Sequence, residues 1–394
     1  MLELKCTCSQ GNHTAPVKHI EVSCGAIEKI CGILDGYSDI MIVADANTYE
    51  VAGKRVEELL SEAGMLSHVC LIEDPPLPTD KNVGKVLIEA GRDEKIYDIS
   101  KFSKNPHYIL GVGSGSVNDI CRMVSYRLGI EYGIVGTAPS MDGYASVVAP
   151  LLVGNKKIIY TCSIARHIII DLDICASAPY ELLLAGVGDM IGKYVAILDW
   201  QLSHKVTGEF YCENVANKVL EATKACVETA TALKKRETDC IKKTVDGLIL
   251  SGLGIAYTGS SRPASGTEHM IGQTWEVMDI EKGHTPNLHG IEVGEATFAA
   301  MLMYQRLYKE TDEVWLKELI EPYLPAFEKI FALQRQINIP FTVKKKENFI
   351  EGIIRGRTFR VRYTLLQYLY DKGLLENYAE KTYDECMQYA PSED

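Results

Sequence analysis

The sequence of 394 residues contains no run of 18 consecutive apolar residues, the length that a membrane-spanning helix requires. Its first residues, MLELKCTCSQ, carry charges and lack the apolar segment of a secretory signal peptide. Positive charge is also scarce, because 41 Lys and Arg stand against 53 Asp and Glu, a formal net charge of −12. We therefore expect neither stable membrane insertion nor nucleic-acid binding, which depends on a basic surface.

Closely spaced cysteine pairs are nearly absent. The twelve cysteines are scattered from Cys6 to Cys386, no C-x-x-C pair occurs, and one C-x-C pair joins Cys6 and Cys8. Scattered cysteines of this kind are typical of reduced, mostly buried thiols in a cytosolic protein. We expect a cytoplasmic location. A single C-x-C pair, able to take up a stray metal ion, does not by itself predict a metal site.

The length favours two domains, and the hydrophobic pattern changes along the chain. Strand-like segments alternate with helix-like segments in the first part: the strands are 38–46, 67–74, 107–114 and 133–140, with helices at 48–65 and 80–94. This order predicts a doubly wound parallel sheet of the Rossmann-like α/β class. Two further strands, 157–162 and 167–174, are expected to return to the sheet as a hairpin. Helical periodicity follows in the rest of the chain. The change of pattern predicts two domains: an α/β nucleotide-binding domain over 1–170 and an all-helical metal- and substrate-binding domain over 171–394.

A glycine-rich loop, GVGSGSVND (111–119), joins the third strand to a helix. Gly113 and Gly115 would let backbone amides approach a pyrophosphate at the helix N-terminus. The loop is not G-x-G-x-x-G, since Ser116 stands at the third glycine, and it has no Walker lysine. A tight turn without a ligand stays open as the alternative. Asp45, at the end of the first strand, is either a ribose contact or a surface turn residue.

Two histidines and an aspartate suggest a divalent metal site: Asp189 in AGVGDMIGK, His269 in SGTEH and His289 in LHGIEVG. The S-x-x-E spacing predicts a helix beginning at Ser265, which places His269 in its first turn, and His289 begins another predicted helix. Near a helix N-terminus neutral imidazole is favoured. Two nitrogens and one carboxylate oxygen suit zinc, and nickel or iron(II) accept the same set. Alternatively the histidines are structural, and Asp189 forms a surface pair with Lys193.

Five motifs give the chain a family resemblance over at least residues 38–300: GVGSGSVND, TAPSMDGYAS (137–146), AGVGDMIGKY (185–194), GSSRPASGTEH (259–269) and LHGIEVG (288–294). The chain resembles the metal-dependent polyol dehydrogenases of the iron-alcohol-dehydrogenase and glycerol-dehydrogenase type. Within that group it is similar to the sn-glycerol-1-phosphate dehydrogenases. The resemblance implies a dehydroquinate-synthase-like architecture, NAD or NADP as cofactor, one divalent metal ion (zinc, nickel or iron) and a homo-oligomer.

The resemblance also implies site residues. The catalytic metal falls on Asp189, His269 and His289, and Asp142 and Asp189 fall on positions that act in catalysis and contact substrate. The cofactor contacts that it implies are Asp45, Gly113, Gly115, Ser116, Val117, Asn118, Asp119, Thr137, Ala138, Pro139, Ser140 and Ser146. One position departs from the family pattern: Gln273 stands where a second histidine is often found, one turn after His269. Gln273 is expected to contact substrate, and His284 is either a substitute for that histidine or a loop residue.

The activity that the resemblance implies is the reversible reduction of dihydroxyacetone phosphate to sn-glycerol 1-phosphate. Arg166, Lys193 and Arg262 are candidates for binding the substrate phosphate, and the sequence does not choose among them. For each, a surface or structural salt bridge stays open as the alternative. Three alternatives stay open. They are a dehydrogenase for an unphosphorylated polyol or another small carbonyl compound, a lyase of the dehydroquinate-synthase type, and a non-catalytic nucleotide-binding protein.

Overall fold

The computed structural model describes residues 1–91, 106–154, 156–339 and 344–389. The chain divides into two compact units. Unit 1 consists of Met1–Lys5, Asn12–Pro179 and Arg236–Tyr257, and unit 2 consists of Cys6–Gly11, Tyr180–Lys235 and Thr258–Asp394. Among the described residues, no helix combines the length and the apolar character that crossing a membrane would need. The assignment of cofactor binding to 1–170 and of metal and substrate binding to 171–394 stays a prediction.

The strands of the described residues all belong to unit 1. They are β1 (Leu2–Leu4), β2 (His13–Ala15), β3 (His19–Ser23), β4 (Ile40–Ala44), β5 (Leu66–Leu71), β6 (Tyr108–Gly113), β7 (Glu131–Gly136), β8 (Val148–Val153), β9 (Lys156–Thr161) and β10 (His167–Asp171). Six strands form a parallel sheet in the order β3-β10-β7-β6-β4-β5, and β1-β2 and β8-β9 are antiparallel pairs. Strands β4, β6 and β10 are buried along their whole length, which explains their near-continuous apolar sequences.

Seventeen α-helices occur among the described residues. They are α1 (Ile30–Ile33), α2 (Ala46–Thr48), α3 (Lys54–Glu62), α4 (Asp80–Ala90), α5 (Gly115–Leu128), α6 (Leu172–Ser177), α7 (Tyr180–Ile191), α8 (Lys193–Thr207), α9 (Glu213–Thr229), α10 (Thr238–Thr258), α11 (Thr267–Glu281), α12 (His289–Glu310), α13 (Val314–Ile320), α14 (Leu324–Ile337), α15 (Lys346–Gly356), α16 (Leu365–Asp371) and α17 (Leu375–Cys386). A π-helical turn, Tyr49–Gly53, joins α2 to α3, and short 3-10 turns include Asp142–Ala145. Helices α1–α6 and nearly all of α10 lie in unit 1.

The predicted doubly wound sheet and the helical second part are confirmed. The predicted hairpin is wrong in its pairing. The segment 157–162 forms β9, which pairs with β8 outside the main sheet, whereas β10 lies inside the sheet between β3 and β7. Strand β8 buries Ala149 and Leu151, whereas the other described residues of β8 and β9 are partly or fully exposed. The last residues of the predicted helix 80–94, beyond residue 91, lie outside the described residues.

A buried histidine in the sheet predicts acid sensitivity. His167 in β10 is 3% exposed, and its Nδ1 lies 2.6 Å from the hydroxyl of Tyr108. Burial lowers the pKa of His167 to about 4, whereas an unfolded chain protonates histidine near pH 6.5. As the pH falls, the unfolded state therefore takes up the proton before the folded state does. The contribution of neutral His167 to the free energy of unfolding is complete above about pH 6.5 and is lost as the pH falls toward 4. We expect about 3 kcal/mol of pH-dependent unfolding free energy from this residue.

Urea unfolding between pH 7 and pH 4 measures this dependence. The variant His167→Gln should show a smaller loss of stability with falling pH than the native chain does. Identical pH profiles of the two proteins would contradict the prediction.

Candidate functional site

The glycine loop leads directly from a buried strand into a helix N-terminus. Strand β6 ends at Gly113, Ser114 precedes the helix, and α5 begins at Gly115. A Cβ on Gly113 would lie 2.7 Å from Cγ2 of Val117, so glycine allows the first turn of α5 to pack against the end of the strand. The first N–H groups of a helix have no partner within it. Those of Gly115, Ser116 and Val117 are therefore available to a phosphate, as expected for a nucleotide.

Two polar side chains of the same loop turn into the protein. Nδ2 of Asn118 donates to the carbonyl oxygen of Gly143 at 3.0 Å. The carboxylate of Asp119 accepts from Nη1 of Arg122 at 2.5 Å, and the same nitrogen donates to the carbonyl oxygen of Val148 at 2.7 Å. Asn118 and Asp119 thus support the segment that follows β7. Their predicted contact with a cofactor stays a prediction.

The segment 137–140 is fastened to the glycine loop. The backbone N–H of Thr137 donates to the carbonyl oxygen of Gly113 at 3.1 Å, and Oγ of Ser140 lies 2.5 Å from Oγ of Ser114. The carboxyl ends of β6 and β7 therefore share one edge of the sheet. In open α/β sheets this edge is where nucleotides bind.

Asp45 lies at the same edge, because it follows β4, the neighbour of β6. Its carboxylate caps α2: it accepts from the N–H groups of Asn47 at 2.9 Å and Thr48 at 3.0 Å, and from Oγ1 of Thr48 at 2.9 Å. Asp45 is buried, so it is not a surface turn residue. The cap fixes the carboxylate, and its contact with a ribose stays a prediction.

The segment after β7 also carries Asp142 and Ser146. Oδ2 of Asp142 accepts from Oγ of Ser251 at 2.9 Å, and a Cβ on Gly252 would lie 2.6 Å from the carbonyl oxygen of Asp142. The absence of a side chain at Gly252 lets α10 approach this backbone closely. Oγ of Ser146 accepts from the N–H of Val148 at 3.0 Å. Asp142 is thus held by α10, while Ser146 stabilises its own loop.

In unit 2, the structure brings the three predicted metal ligands together. Asp189 lies in α7, His269 in α11, and His289 is the first residue of α12. One ligand atom from each lies within 4.8 Å of the others, and Nε2 of His269 is 3.6 Å from Oδ1 of Asp189. Two imidazoles and one carboxylate suit zinc, and three protein ligands leave a coordination position for a substrate oxygen. The donor set therefore fits a divalent metal ion.

Glycines explain why these helices meet. A Cβ on Gly290 would lie 1.9 Å from the carbonyl oxygen of Ala185, and a Cβ on Gly188 would lie 2.1 Å from the carbonyl oxygen of Gly290. Helices α7 and α12 therefore touch backbone to backbone. This contact brings the first turn of α12, with His289, next to Asp189.

Each histidine is oriented by a glutamate. Nδ1 of His269 lies 2.7 Å from Oε1 of Glu268, and Nδ1 of His289 lies 2.6 Å from Oε1 of Glu276. Such carboxylates hold the proton on Nδ1 and leave Nε2 to bind a metal ion. Burial, and next the charge of Lys193, lower the pKa of His269 well below its usual value. The sequence pattern did not single out Glu276, which is 13 residues from His289.

One alternative and one prediction for this region are wrong. Lys193 pairs with Asp189 at 2.6 Å, but both side chains are fully buried, and Nζ of Lys193 also donates to the carbonyl oxygen of Ala264. The pair thus fixes the carboxylate of Asp189 and is not the surface ion pair of the alternative reading. The predicted capping box is also absent, since α11 begins at Thr267 and Glu268 accepts from the N–H of Gly266 and contacts His269.

Gln273 contacts a cluster of arginines. Oε1 of Gln273 accepts from Nη2 of Arg360 at 2.9 Å. Oγ of Ser261 accepts from Nη1 of Arg360 at 3.0 Å and from Nη2 of Arg362 at 2.7 Å. Burial, and next the charges of Arg360 and Arg262, lower the pKa of Arg362 to about 9. Positive charge is thus concentrated one helical turn from the ligand His269.

These arginines line a pocket of about 590 Å³ in unit 2. Its lining contains Arg262, Arg357, Arg360 and Arg362, and Glu209 is the one carboxylate among the described residues that line it. The excess of positive charge suits an anionic ligand. Sequence reasoning missed Arg360 and Arg362, although the cluster RGRTFRVR (355–362) was a visible signal.

The cations expected from the sequence are already engaged with carboxylates. Arg166, in unit 1, pairs with Glu131 at 2.7 Å. Arg262 binds Glu209 through Nε at 2.8 Å and Nη2 at 2.5 Å, and Lys193 binds Asp189. His284 is exposed in the turn after α11, where it is a loop residue.

Comparison with known proteins gives consistent matches. Residues 22–179 match the family model described as iron-containing alcohol dehydrogenase. The chain is 31% identical to the glycerol-1-phosphate dehydrogenase [NAD(P)+] of Halalkalibacterium halodurans over 320 residues, which cover 80% of this chain and 77% of that protein. It is also 31% identical to the enzyme of the same name from Staphylothermus marinus, over 86% of each chain.

A solved structure shows the same fold. The probable glycerol dehydrogenase from Sinorhizobium meliloti superposes with a TM-score of 0.69 at 14% sequence identity, over 94% of this chain and 98% of that one. At this identity the match concerns the fold alone. It extends over both the sheet and the helical part of the chain.

Proposed function

Since the chain belongs to the glycerol-1-phosphate dehydrogenases of the iron-containing alcohol dehydrogenase superfamily, we propose that it reduces dihydroxyacetone phosphate reversibly to sn-glycerol 1-phosphate with NADH or NADPH. The observation that carries the choice of a phosphorylated substrate is the arginine pocket beside Gln273. Arg360 connects the two features directly, because it lines the pocket and donates to Gln273. The substrate is a small molecule, and a cytoplasmic homo-oligomer stays a prediction.

In unit 1 the proposed role is cofactor binding. The N–H groups of Gly115, Ser116 and Val117 bind the pyrophosphate at the N-terminus of α5. The segment 137–140 and Ser146 support the nicotinamide half, and Asp45 contacts the adenosine ribose. Asp142, held by Ser251, orients a substrate hydroxyl.

In unit 2 the proposed role is to hold the metal ion and the substrate phosphate. Asp189, His269 and His289 hold a divalent ion, zinc by preference with nickel or iron as alternatives; when bound, it supplies Lewis-acid polarisation of the C2 oxygen. Lys193 fixes the carboxylate of Asp189. Arg360 and Arg362 bind the phosphate. This interaction lies away from the reacting carbon C2, and its binding energy positions the ketone for the reaction.

The overall chemistry balances as a two-electron reduction. When bound, the reduced nicotinamide would supply a hydride to C2 of the ketone, and the C2 oxygen would take up one proton, which would give the secondary alcohol and the oxidised nicotinamide. The Gln273 amide, neutral and held by Arg360, takes the place of a titratable histidine beside the metal ligands. Binding of the phosphate in this arrangement depends on arginine charge, which does not change near neutral pH.

Paired assays test the proposed function. NADH oxidation is followed with dihydroxyacetone phosphate and, separately, with dihydroxyacetone, after chelation and after re-addition of zinc or nickel. Metal-dependent turnover of the phosphorylated ketone, with sn-glycerol 1-phosphate identified by chiral analysis, is expected. Equal turnover of dihydroxyacetone would assign an unphosphorylated polyol, and turnover of another substrate that leaves bound NAD unchanged would assign a lyase.

The variant Arg360→Ala should weaken recognition of the phosphate specifically. Hydrogen bonds to charged groups contribute about 1.5–3 kcal/mol, so kcat/KM for dihydroxyacetone phosphate should fall roughly 10- to 100-fold. Any rate with dihydroxyacetone, which has no phosphate, should fall much less than the rate with dihydroxyacetone phosphate. The matched control is Arg355→Ala, five residues before Arg360, which removes a half-exposed guanidinium paired with Glu281. A similar loss in both variants would contradict the assignment of Arg360.

A further inference from the structure

Three thiols of unit 2 lie together although they are distant in sequence. Sγ of Cys6 is 3.5 Å from Sγ of Cys212, and the sulfur atoms of Cys6, Cys8 and Cys212 all lie within 4.8 Å of one another. All three are thiols, and a disulfide would need a separation of about 2.05 Å. Zinc–sulfur bonds of about 2.3 Å in a tetrahedral site place neighbouring sulfurs roughly 3.8 Å apart. The observed spacing is therefore that of metal ligands.

The backbone from Cys6 to Gly11 forms a compact turn. The N–H of Cys8 is directed at Sγ of Cys6 at a distance of 3.5 Å. The chain then turns sharply, because the N–H of Gly11 donates to the carbonyl oxygen of Cys8 at 2.9 Å. Gly11 has φ of 70°, a left-handed conformation that favours glycine. This turn keeps the two thiols close together.

Cys212 contributes its thiol from a helix N-terminus. It is the N-cap residue of α9, a helix of 17 residues, and it is fully buried. Burial raises the pKa of the Cys212 thiol, so a bound metal ion must displace its proton. Two independent parts of the chain, the turn Cys6–Gly11 and the start of α9, thus present sulfur ligands to the same point.

From these observations we infer that Cys6, Cys8 and Cys212 bind a second divalent metal ion, zinc, in a structural role. Thiolates select zinc over the harder divalent cations, and each thiol releases its proton as it binds. Structural zinc takes four ligands, of which Cys₃His is one known set, and the sequence has a histidine, His13, five residues after Cys8. The site differs in chemistry from the Asp189, His269 and His289 cluster, which contains no sulfur. It ties the turn Cys6–Gly11 to a helix 206 residues later.

Cobalt substitution tests the inference on the unmodified chain. The purified protein is stripped of metal under reducing conditions and reconstituted with Co²⁺ alone. Cobalt bound to thiolates gives an intense near-ultraviolet charge-transfer band, which a site of histidine and aspartate ligands does not give. We expect this band and about two metal equivalents per chain. A protein that binds cobalt without the band, or a Cys6–Cys212 disulfide in the peptide map of the unreduced protein, would overturn the inference.

Variants show which residues bind the second metal ion. In the His269→Ala background, which lacks a ligand of the other site, we expect about one zinc per chain by mass spectrometry of the metal. Adding Cys8→Ser should remove this zinc and the cobalt band. Adding Cys24→Ser should keep both, because Cys24 is an exposed thiol of unit 1. Retention of zinc and of the band in the Cys8→Ser protein would refute the assignment, whether or not catalysis is affected.

Discussion

The variant His269→Ala is expected to lose the metal ion of the Asp189, His269 and His289 cluster and about 10³-fold in kcat/KM. Removing one of three protein ligands leaves too few donors for stable binding. Electrostatic stabilisation of the developing charge on the C2 oxygen is lost with the metal, and this is usually the largest single contribution to catalysis. Metal analysis and steady-state NADH oxidation with dihydroxyacetone phosphate measure the two effects.

The design separates loss of metal from loss of structure. The proposed cofactor residues belong to unit 1, so we expect the variant still to bind NADH, which is followed by NADH fluorescence. The matched control is His284→Ala, which removes an exposed histidine of the same part of the chain and should leave metal content and rate unchanged. Full activity of His269→Ala, or an equal effect of His284→Ala, would exclude the proposed metal centre.

The variant Gly290→Ala should also weaken metal binding, although it leaves Asp189, His269 and His289 unchanged. Its Cβ would lie 1.9 Å from the backbone oxygen of Ala185, so α7 and α12 must move apart. Overpacking of this kind costs about 1–3 kcal/mol, and we expect a loss at the upper end, because a backbone atom cannot rotate away. His289 moves with its helix, and metal affinity should fall with the distance to Asp189. Urea unfolding measures the first effect and competition with a chelator the second.

Another helical glycine provides the control. A Cβ added at Gly84 in α4 would meet none of the described residues within 4 Å, so Gly84→Ala should be neutral or stabilise unit 1 by about 0.5–1 kcal/mol. If Gly290→Ala binds metal and unfolds like the native chain, the close approach of α7 and α12 does not position the metal centre.

Local features of the sequence were sufficient for the fold class, and with the family resemblance they selected three side chains that the structure brings together. Buried strands such as β4 and β6 have continuous apolar sequences because both faces of a parallel sheet are covered. Glycines next to Asp189 and His289 marked the places where backbones come together. The polar edge strand β3 and the partly exposed β8 lacked such a pattern, so the sequence did not predict them.

The tertiary structure alone decided which charges and thiols meet. Arg360 reaches Gln273 across 87 residues of sequence, and Cys6 reaches Cys212 across 206. No spacing rule links such residues, because their distance depends on helix packing rather than on local backbone geometry. The same reason explains why Lys193 and Asp189, four residues apart, form a fully buried pair and not the surface pair that the sequence left open. Periodicity fixes which residues share a helix face, whereas the neighbouring helices decide whether that face meets water.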